Sequence, residues 1–294
     1  MAEELSSASQ GIGEYEAWNQ IWENVPADEL SFFTRGTPRR FRQLNQKIYF
    51  EDMWSMLGKN RSAKCLEMGA GRGTTSMYLA AEGCDVTMLD LAPQAFKLAE
   101  QNFRREKLRI PQFVAADATK TGLPSDSFDC IYSIGLLEHF DDPQPLLAET
   151  FRLLRPGGLA FHVVVPTIPE RRMIVSYALF APWKLPPRQL KDVTNRLLGR
   201  NTKGVDTPMT RTEFGVAEYR HWVEELHAAD ITCVPYYSYH APHNIRAVER
   251  YLAVPLYRAH RAVKRQFANA PWARTWNCLA ACVLVSFRKP SPST

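Results

Sequence analysis

The sequence predicts an α/β fold with a doubly wound, mostly parallel sheet, and three observations carry that prediction. Short apolar segments alternate with amphipathic helical segments from about residue 63 onward. A glycine-rich turn, GAGRG (Gly69–Gly73), directly follows the first apolar segment. The segment LAFHVVVP (Leu159–Pro166) is apolar almost throughout, as parallel strands are when helices cover both of their faces.

The strands and helices of this core can be assigned in order. The predicted strands are CLEM (Cys65–Met68), CDVTMLD (Cys84–Asp90), QFVAAD (Gln112–Asp117), FDCIYSI (Phe128–Ile134) and Leu159–Pro166. The predicted helices are Thr74–Glu82, Pro93–Arg105 and Pro143–Leu154, and RPGG (Arg155–Gly158) predicts a turn. The first helix is expected to be capped by Thr74, and the second opens with proline in its first turn.

The rest of the chain predicts additions around a ligand-binding core at residues 61–166. Residues 1–60 look helical, with Tyr15, Trp18 and Trp22 at helical spacing and a further helix over Gln46–Leu57. Residues 167–212 show no clear strand and predict a helical cap insertion. Residues 213–294 would end the core with a helix over Glu213–Ala229, strands over Ile231–Tyr239 and Cys278–Phe287, and a second helical insertion near 244–275.

The composition is that of an ordinary globular chain with an uneven charge. Hydrophobic residues make up 45% of the 294 residues, and the net charge is +5. Bases exceed acids after residue 160, which indicates either a surface that meets an anion or a solvated basic face. Six scattered cysteines without CxxC pairs predict buried thiols and no metal site. Without a signal-peptide pattern or an apolar run of about 18 residues, a cytoplasmic location is expected.

The glycine turn and two acids predict the kind of ligand. The glycines follow GxGxG and not the GxGxxG of dinucleotide sites. Glu67, at the end of the first strand, would repel a pyrophosphate and attract a ligand that carries ammonium and sulfonium charges. Asp90 ends the second strand, where an acid accepts hydrogen bonds from ribose hydroxyls. A nucleoside with a cationic, amino-acid-like arm satisfies all three features, and S-adenosylmethionine is the obvious candidate.

Four motifs in order resemble the class I S-adenosylmethionine-dependent methyltransferases, of the methyltransferase type 11-like branch. They are LEMGAGRG (Leu66–Gly73), MLDLA (Met88–Ala92), ADATKTGLPSDSFDCIYSIGLLEHF (Ala116–Phe140) and FRLLRPGG (Phe151–Gly158). The resemblance covers roughly the central third of the chain. It implies a Rossmann-like sheet, mostly parallel with an antiparallel last strand.

The resemblance also implies roles for individual residues toward S-adenosylmethionine. Glu67 would face the methionine amino group, and the backbone of Gly69, Ala70, Gly71 and Gly73 would line the methionine arm. Asp90 would hold both ribose hydroxyls, with Leu91 beside the adenine. Asp117 would accept a hydrogen bond from the adenine amino group, and Ala118 would donate its backbone N–H to the ring. The chain at Ser133–Ile134 would border the methyl group. The alternatives are a helix-capping contact for Glu67 and an ordinary turn acid for Asp117.

The sequence offers one candidate catalytic base. His139 follows the fourth strand and titrates near neutrality, although a packing role is the alternative. His162, inside the fifth strand, is expected to be a hydrogen-bonded core residue. Asp141 and Asp142 lack further carboxylates at a spacing suited to magnesium, so no metal is predicted. The aromatic stripe of Trp18 and Trp22 predicts either a lid over the ligand or a packed first helix.

The acceptor is the least constrained part of the prediction. Methyl transfer to oxygen or nitrogen of a small organic acceptor is expected, within a pocket built by the added helices. Basic clusters at Arg39–Arg42 and Arg258–Arg265 leave RNA as an alternative, without a recognisable nucleic-acid module. The cationic, amphipathic segment Ala247–Phe267 leaves a lipid-like substrate and peripheral membrane contact open. A non-catalytic cofactor-binding protein is the alternative outside enzymes, and the sequence does not fix the oligomeric state.

Overall fold

The structure, a computed structural model, describes residues 12–25, 30–165, 214–237, 250–251, 254–266 and 280–291. The helices are α1 (Ile12–Glu23), α2 (Phe41–Met56), α3 (Thr74–Glu82), α4 (Pro93–Arg105), α5 (Gln144–Leu153), α6 (Val216–Glu225) and α7 (Val254–Gln266). The strands are β1 (Lys64–Met68), β2 (Asp85–Asp90), β3 (Gln112–Ala115), β4 (Phe128–Ile134), β5 (Leu154–Val164), β6 (Ala229–Tyr237) and β7 (Ala280–Arg288). A 3₁₀ turn covers Leu137–His139.

The strands form one seven-stranded sheet in the order β3-β2-β1-β4-β5-β7-β6. The neighbouring pairs from β3 to β5 are parallel, whereas β7 runs antiparallel to both β5 and β6. This confirms the predicted doubly wound, mostly parallel sheet and its antiparallel last strand. The strand order reverses between β1 and β4, so a crevice opens there at the carboxyl ends of the strands, where open α/β sheets bind ligands.

Helices cover both faces of the sheet and bury its central strands. Met68 and Leu66 of β1 and Ile131 of β4 are fully buried, which explains why these strands read as continuous apolar runs. On one face, α2 buries an apolar stripe that includes Phe41, Leu44, Ile48 and Met53. Because α2 is thereby fixed to the sheet, its other side can face the crevice.

Several element boundaries differ from the sequence prediction. Thr74 is the first helical residue of α3 and not its cap, because Gly73 occupies the N-cap in the left-handed region, with φ of +67°. The predicted turn Arg155–Gly158 lies inside β5, where the register against β4 shifts between Phe128 and Cys130. Helix α2 begins at Phe41, five residues before the predicted start, because the Gln43 side chain accepts backbone N–H groups of Arg39 and Arg40 ahead of it.

Other predictions lie partly or wholly outside the described residues. The cap insertion at 167–212, most of the insertion near 244–275, and Cys278 fall there. Cys65, Cys84, Cys130, Cys233 and Cys282 are free and buried, as the sequence predicts for them. Among the described helices, none has the length and apolar character needed to cross a membrane.

Candidate functional site

A cavity of about 490 Å³ opens at the carboxyl ends of β1, β2 and β4. The turns after these strands supply its floor, and α1, α2 and the 3₁₀ turn supply its walls. Nine of the predicted site residues line it, namely Glu67, Gly69, Ala70, Gly71, Asp90, Leu91, Asp117, Ala118 and His139. The fold therefore brings into one place residues that are more than 70 positions apart in the sequence.

The glycine turn has a shape that side chains would disturb. Gly69 and Gly71 have φ of +64° and +49°, in the left-handed region that favours glycine. A Cβ atom at Gly71 would lie 2.5 Å from the Trp22 ring, and one at Gly69 would lie 2.8 Å from Leu136. The backbone of the turn thus forms part of the cavity wall, close to the residues that face it.

The Asp90 carboxylate holds this turn by hydrogen bonds. One carboxylate oxygen, Oδ2, accepts the Gly71 backbone N–H at 2.9 Å, and the other, Oδ1, accepts the Ala92 N–H at 2.9 Å. Burial raises the pKa of Asp90 to about 6, against these two hydrogen bonds and a third backbone bond, from Leu91, that lower it. Since each carboxylate oxygen has two lone pairs, Asp90 can still accept hydrogen bonds from the hydroxyl groups of a ligand in the cavity.

Glu67 is buried at the end of β1 and lies at the start of α3. Its Oε2 atom accepts the Ser76 hydroxyl at 2.5 Å, the Ser76 backbone N–H at 3.3 Å and the Tyr132 hydroxyl at 3.3 Å. The Ser76 N–H belongs to the first turn of α3, so the helix-capping contact offered as the alternative is present as well. Burial raises the pKa of Glu67 to about 7.

Asp117 likewise combines a turn contact with a place in the cavity. Its Oδ1 atom accepts the backbone N–H and the hydroxyl of Thr119, each at 2.8 Å, as an ordinary turn acid does. Leu91 and Ala118 line the cavity near it. Both hydrogen bonds use Oδ1. Among the described residues, none within the turn contacts the other carboxylate oxygen, Oδ2.

Two predicted site residues do not line the cavity. Ser133 is fully buried within β4, and its hydroxyl shares a 2.8 Å hydrogen bond with His162 Nδ1. Since side chains alternate along a strand, the wall at this point is formed by Ile134, the other residue of the predicted pair, and by Gly135. Gly73 caps α3, and a Cβ atom there would meet Met88, which lies under the turn.

His162 proves to be a core residue, but only half of its ring is hydrogen-bonded. Its Nδ1 atom pairs with Ser133, whereas no described residue is a hydrogen-bond partner of its buried Nε2 atom. Burial lowers the pKa of His162 to about 3, which keeps the imidazole neutral.

His139 lies in the 3₁₀ turn after β4 and lines the cavity. The Trp18 ring meets its imidazole edge-on, with ring centroids 5.0 Å apart and planes at 85°. The preceding residue, Glu138, also lines the cavity and is only 1% exposed. Sequence reasoning passed over Glu138 because an acid beside a candidate base carries no distinctive spacing.

Helix α1 contributes both of its described tryptophans to the cavity wall. Trp22 packs against the glycine turn and Trp18 against His139, and the two rings are 6.4 Å apart. This placement agrees with the lid interpretation of the aromatic stripe. The Tyr15 side chain lies outside what the structure describes.

The sequence also missed one whole face of α2. Arg42, Asn45, Gln46 and Tyr49 all line the cavity. Their spacing of i, i+3, i+4 and i+7 places them on one side of a helix, and this polar stripe is the signal that could have found them. Arg72 in the glycine turn and Phe32 complete this part of the wall.

The described residues contain no cluster of three or more His, Cys, Asp or Glu side chains that could hold a metal ion. The groups that line the cavity include four carboxylates (Glu67, Asp90, Asp117 and Glu138), a histidine, two arginines and several aromatic rings.

Residues 66–162 match the model of a family described as a methyltransferase domain. A malonyl-[acyl-carrier protein] O-methyltransferase of Enterobacter lignolyticus is 35% identical over 144 residues, which are 48% of this chain and 55% of that protein. A ubiquinone biosynthesis O-methyltransferase of Xanthomonas oryzae is 32% identical over 99 residues, which are 34% of this chain and 41% of that protein. The chain thus spans about half the length of these curated relatives.

Solved structures share the fold at low sequence identity. The [4+2]-cyclase SpnF aligns with a TM-score of 0.53 and 16% identity, covering 88% of this chain and 85% of that one. A phosphoethanolamine N-methyltransferase 2 of Haemonchus contortus, in complex with S-adenosyl-L-methionine, aligns with a TM-score of 0.53 and 14% identity, covering 99% of this chain and 60% of that one. These likenesses concern the fold alone.

Proposed function

We propose that the chain is a class I S-adenosylmethionine-dependent methyltransferase that transfers a methyl group to oxygen or nitrogen of a small organic acceptor. The match of residues 66–162 to a methyltransferase-domain family supports this proposal. The observation that carries the proposal is the meeting of Glu67, Asp90 and Asp117 around one glycine turn in one cavity. Two curated relatives are O-methyltransferases, which supports the reaction class.

The residues of the cavity fit S-adenosylmethionine by their chemistry. Glu67 is placed for an ammonium group, Asp90 for ribose hydroxyls and Asp117 for the adenine amino group. Gly69 and Gly71 line the cavity with backbone atoms only, so the turn can lie against an extended ligand arm. A pyrophosphate would instead bring its negative charges toward Glu67 and Asp90, which disfavours a dinucleotide.

When bound, the cofactor supplies a methyl group already activated on a sulfonium. The chain then has to align the acceptor, exclude water and accept a proton. Trp18 and Trp22 close one side of the cavity and keep water from it. His139 can take the proton from an acceptor hydroxyl or amine, because it lines the same cavity and the Trp18 contact holds its ring.

The acceptor must be small if the cavity is to hold it beside the cofactor. A cavity of about 490 Å³ lies in the usual range for small-molecule sites. We propose that the small acceptor is the principal binding partner. We also propose a cytoplasmic location, because the five described cysteines are free, buried thiols. RNA and lipid acceptors stay alternatives. The segment 247–267, which suggested a lipid, lies mostly outside the described side chains.

Asp90→Asn tests the cofactor site. The variant keeps the shape of the side chain but removes its charge and one acceptor oxygen, so we expect affinity for S-adenosylmethionine to fall by about tenfold or more. Isothermal titration calorimetry measures this directly and needs no acceptor. Asp85→Asn is the matched control, since Asp85 begins the same strand at its exposed end. Equal affinities of Asp90→Asn and wild type would contradict the assignment of Asp90.

A further inference from the structure

All the hydrogen bonds that the described residues make to the Glu67 carboxylate go to one of its two oxygens. Ser76 of α3 donates its hydroxyl and its backbone N–H to Oε2, and Tyr132 of β4 donates its hydroxyl to the same atom. No described residue is a hydrogen-bond partner of Oε1. Since Glu67 lines the cavity and is 4% exposed, Oε1 is the oxygen that is left for a ligand.

The hydroxyls of Ser76 and Tyr132 also contact each other, with their oxygens 2.7 Å apart. The single hydrogen of the Ser76 hydroxyl lies on its 2.5 Å contact with Glu67 Oε2, so Tyr132 is the donor between the two hydroxyls. Both residues are fully buried, and burial raises the pKa of Tyr132 well above its ordinary value, so that its hydroxyl keeps its hydrogen. The two side chains therefore form a fixed set of donors that favours negative charge on Oε2.

This arrangement determines where a proton on Glu67 lies. A hydrogen on Oε2 would point at groups that already donate to that atom, and one hydroxyl would have to turn away and lose its acceptor. A hydrogen on Oε1 meets no described donor. Because burial raises the pKa of Glu67 to about 7, about half of the ligand-free molecules carry this proton at pH 7. The proton and the ammonium group of a ligand arm thus compete for the same oxygen.

We propose that Ser76 and Tyr132 are positioning residues that keep Oε2 of Glu67 for the protein and Oε1 for the ligand, so that an ammonium-bearing arm binds at Glu67 in exchange for a proton. The inference rests on the proposed function, because the arm is that of S-adenosylmethionine or of its product. In this exchange the proton leaves Oε1 for solvent, and an ammonium N–H donates to the oxygen that it frees. No covalent bond of the ligand changes.

Other titratable groups lie near Glu67, and a test has to separate their contribution from that of Glu67. Asp90 of β2 acts on Glu67 through its charge, and burial raises its own pKa to about 6. The other titratable residues that line the cavity are Arg42, Tyr49, Arg72, Asp117, Glu138 and His139. The nucleoside 5′-methylthioadenosine has the adenine and ribose but no amino-acid arm. The difference between S-adenosylhomocysteine and this nucleoside therefore isolates the exchange at Glu67.

Isothermal titration calorimetry of the full chain measures the exchange without an acceptor. The two ligands are titrated between pH 6 and 8.5 in pairs of buffers whose ionisation enthalpies differ, which gives the number of protons released. Tyr132→Phe and Ser76→Ala each remove one hydroxyl, whereas Ser76→Thr keeps it. Tyr78→Phe is the matched control, because Tyr78 is a buried residue of α3 whose hydroxyl accepts the Thr34 N–H and which does not line the cavity.

In wild type, S-adenosylhomocysteine should release about half a proton more than 5′-methylthioadenosine at pH 7, and almost none more at pH 8.5. Its affinity relative to the nucleoside should rise as pH rises through 7, since ionised Glu67 is the form that binds. Tyr132→Phe and Ser76→Ala remove donors that favour this form. The rise should therefore move upward by about one pH unit or more, and the preference at pH 7 should fall by about fivefold or more. Ser76→Thr and Tyr78→Phe should keep the wild-type profile.

Equal proton release by the two ligands in wild type at pH 7 would overturn the inference. An unchanged pH profile in Tyr132→Phe and Ser76→Ala, or an affinity loss that is equal for both ligands, would also overturn it, since a purely structural role predicts either result. Thermal melting shows whether each variant is folded, and Tyr132→Phe decides if Ser76→Ala does not fold. If the nucleoside does not bind, S-adenosylhomocysteine binding to Glu67→Gln is the reference.

The same titrations separate this inference from the proposed function. Absence of binding of both ligands to wild type would overturn the proposed cofactor site itself. Binding of both with equal proton release leaves that site standing and removes only the exchange at Glu67.

Discussion

At the scale of single residues, the cavity holds carboxylates in surroundings that oppose their charge. Burial raises the pKa of both Glu67 and Asp90, to about 7 and about 6. Glu67 receives three hydrogen bonds that favour its ionised form, yet burial outweighs them. Such a group is unfavourable for the ligand-free protein and becomes favourable when a cation lies beside it, as at many functional sites.

Glu67→Gln should therefore change how stability depends on pH. Between pH 4.5 and about 7 the unfolded chain releases a proton that folded Glu67 retains, so the stability of the ligand-free wild type falls as pH rises through this window. Glutamine has no proton to release there. We expect the free energy of unfolding of Glu67→Gln, relative to wild type, to rise by up to about 3 kcal/mol between pH 4.5 and 7 and to level off above.

Urea unfolding at several pH values measures this difference. Glu16→Gln, on the exposed side of α1, is the control and should show no such trend. If the stability difference between Glu67→Gln and wild type stays constant or falls between pH 4.5 and 7, burial does not raise the pKa of Glu67.

The residue scale is also where sequence reasoning was least complete. The strand-end acids were predictable because their place after β1 and β2 follows from the apolar pattern. Arg42 was interpreted only as part of a basic cluster. In the structure Arg42 lies in α2 and lines the cavity, whereas Arg39 precedes the helix and is exposed. The chain at Ser133–Ile134 was assigned to the cavity because the apolar pattern locates the end of β4. The pattern did not tell which of the two side chains faces the cavity, and in the structure it is Ile134.

At the scale of elements, α1 and the 3₁₀ turn after β4 act together. Trp18 from α1 meets the imidazole of His139 from the turn, so the aromatic stripe and the candidate base are in contact. Sequence spacing predicted the tryptophan stripe but offered no way to tell which surface it covers. The surface that the stripe covers depends on how α1 is placed relative to the sheet, and a local sequence pattern does not encode that placement.

His139→Ala should lower methyl transfer without weakening cofactor binding, if His139 is the base. General-base catalysis contributes about 100-fold or more, and removing the imidazole leaves the carboxylates of the cofactor site in place. Formation of S-adenosylhomocysteine with a small-molecule extract as acceptor source measures turnover, and calorimetry measures binding. His221→Ala, on the exposed surface of α6, is the control.

Retention of full turnover by His139→Ala would leave His139 only a packing role against Trp18. A wild-type protein that binds S-adenosylmethionine but turns over no component of the extract would favour the non-catalytic alternative.

At the scale of the whole molecule, the sheet order positions the site and distant segments support it. The alternation of strands and helices was enough to predict the parallel core and the crevice at its switch point. It was not enough to predict how the C-terminal part returns to α2. There, Arg261 of α7 pairs with Asp52 at 2.6 Å, and the Tyr236 hydroxyl of β6 donates to the same carboxylate at 2.8 Å.

These contacts join residues 184 and 209 positions apart, and a single sequence carries no signal for such pairs. Their consequence is local to the cavity, because the Tyr236 ring packs 5.8 Å from that of Tyr49, one of the α2 residues in the cavity wall. The added C-terminal elements thus help hold the helix face that lines the cavity.

The most direct test of the proposed cofactor site is a crystal structure of the full chain soaked with S-adenosylhomocysteine. We expect its ribose hydroxyls within hydrogen-bond distance of Asp90, its amino group near Glu67 and its adenine beside Leu91 and Ala118. Electron density for the ligand outside this cavity, or a nicotinamide dinucleotide that binds there in its place with the diphosphate against Glu67, would contradict the proposal.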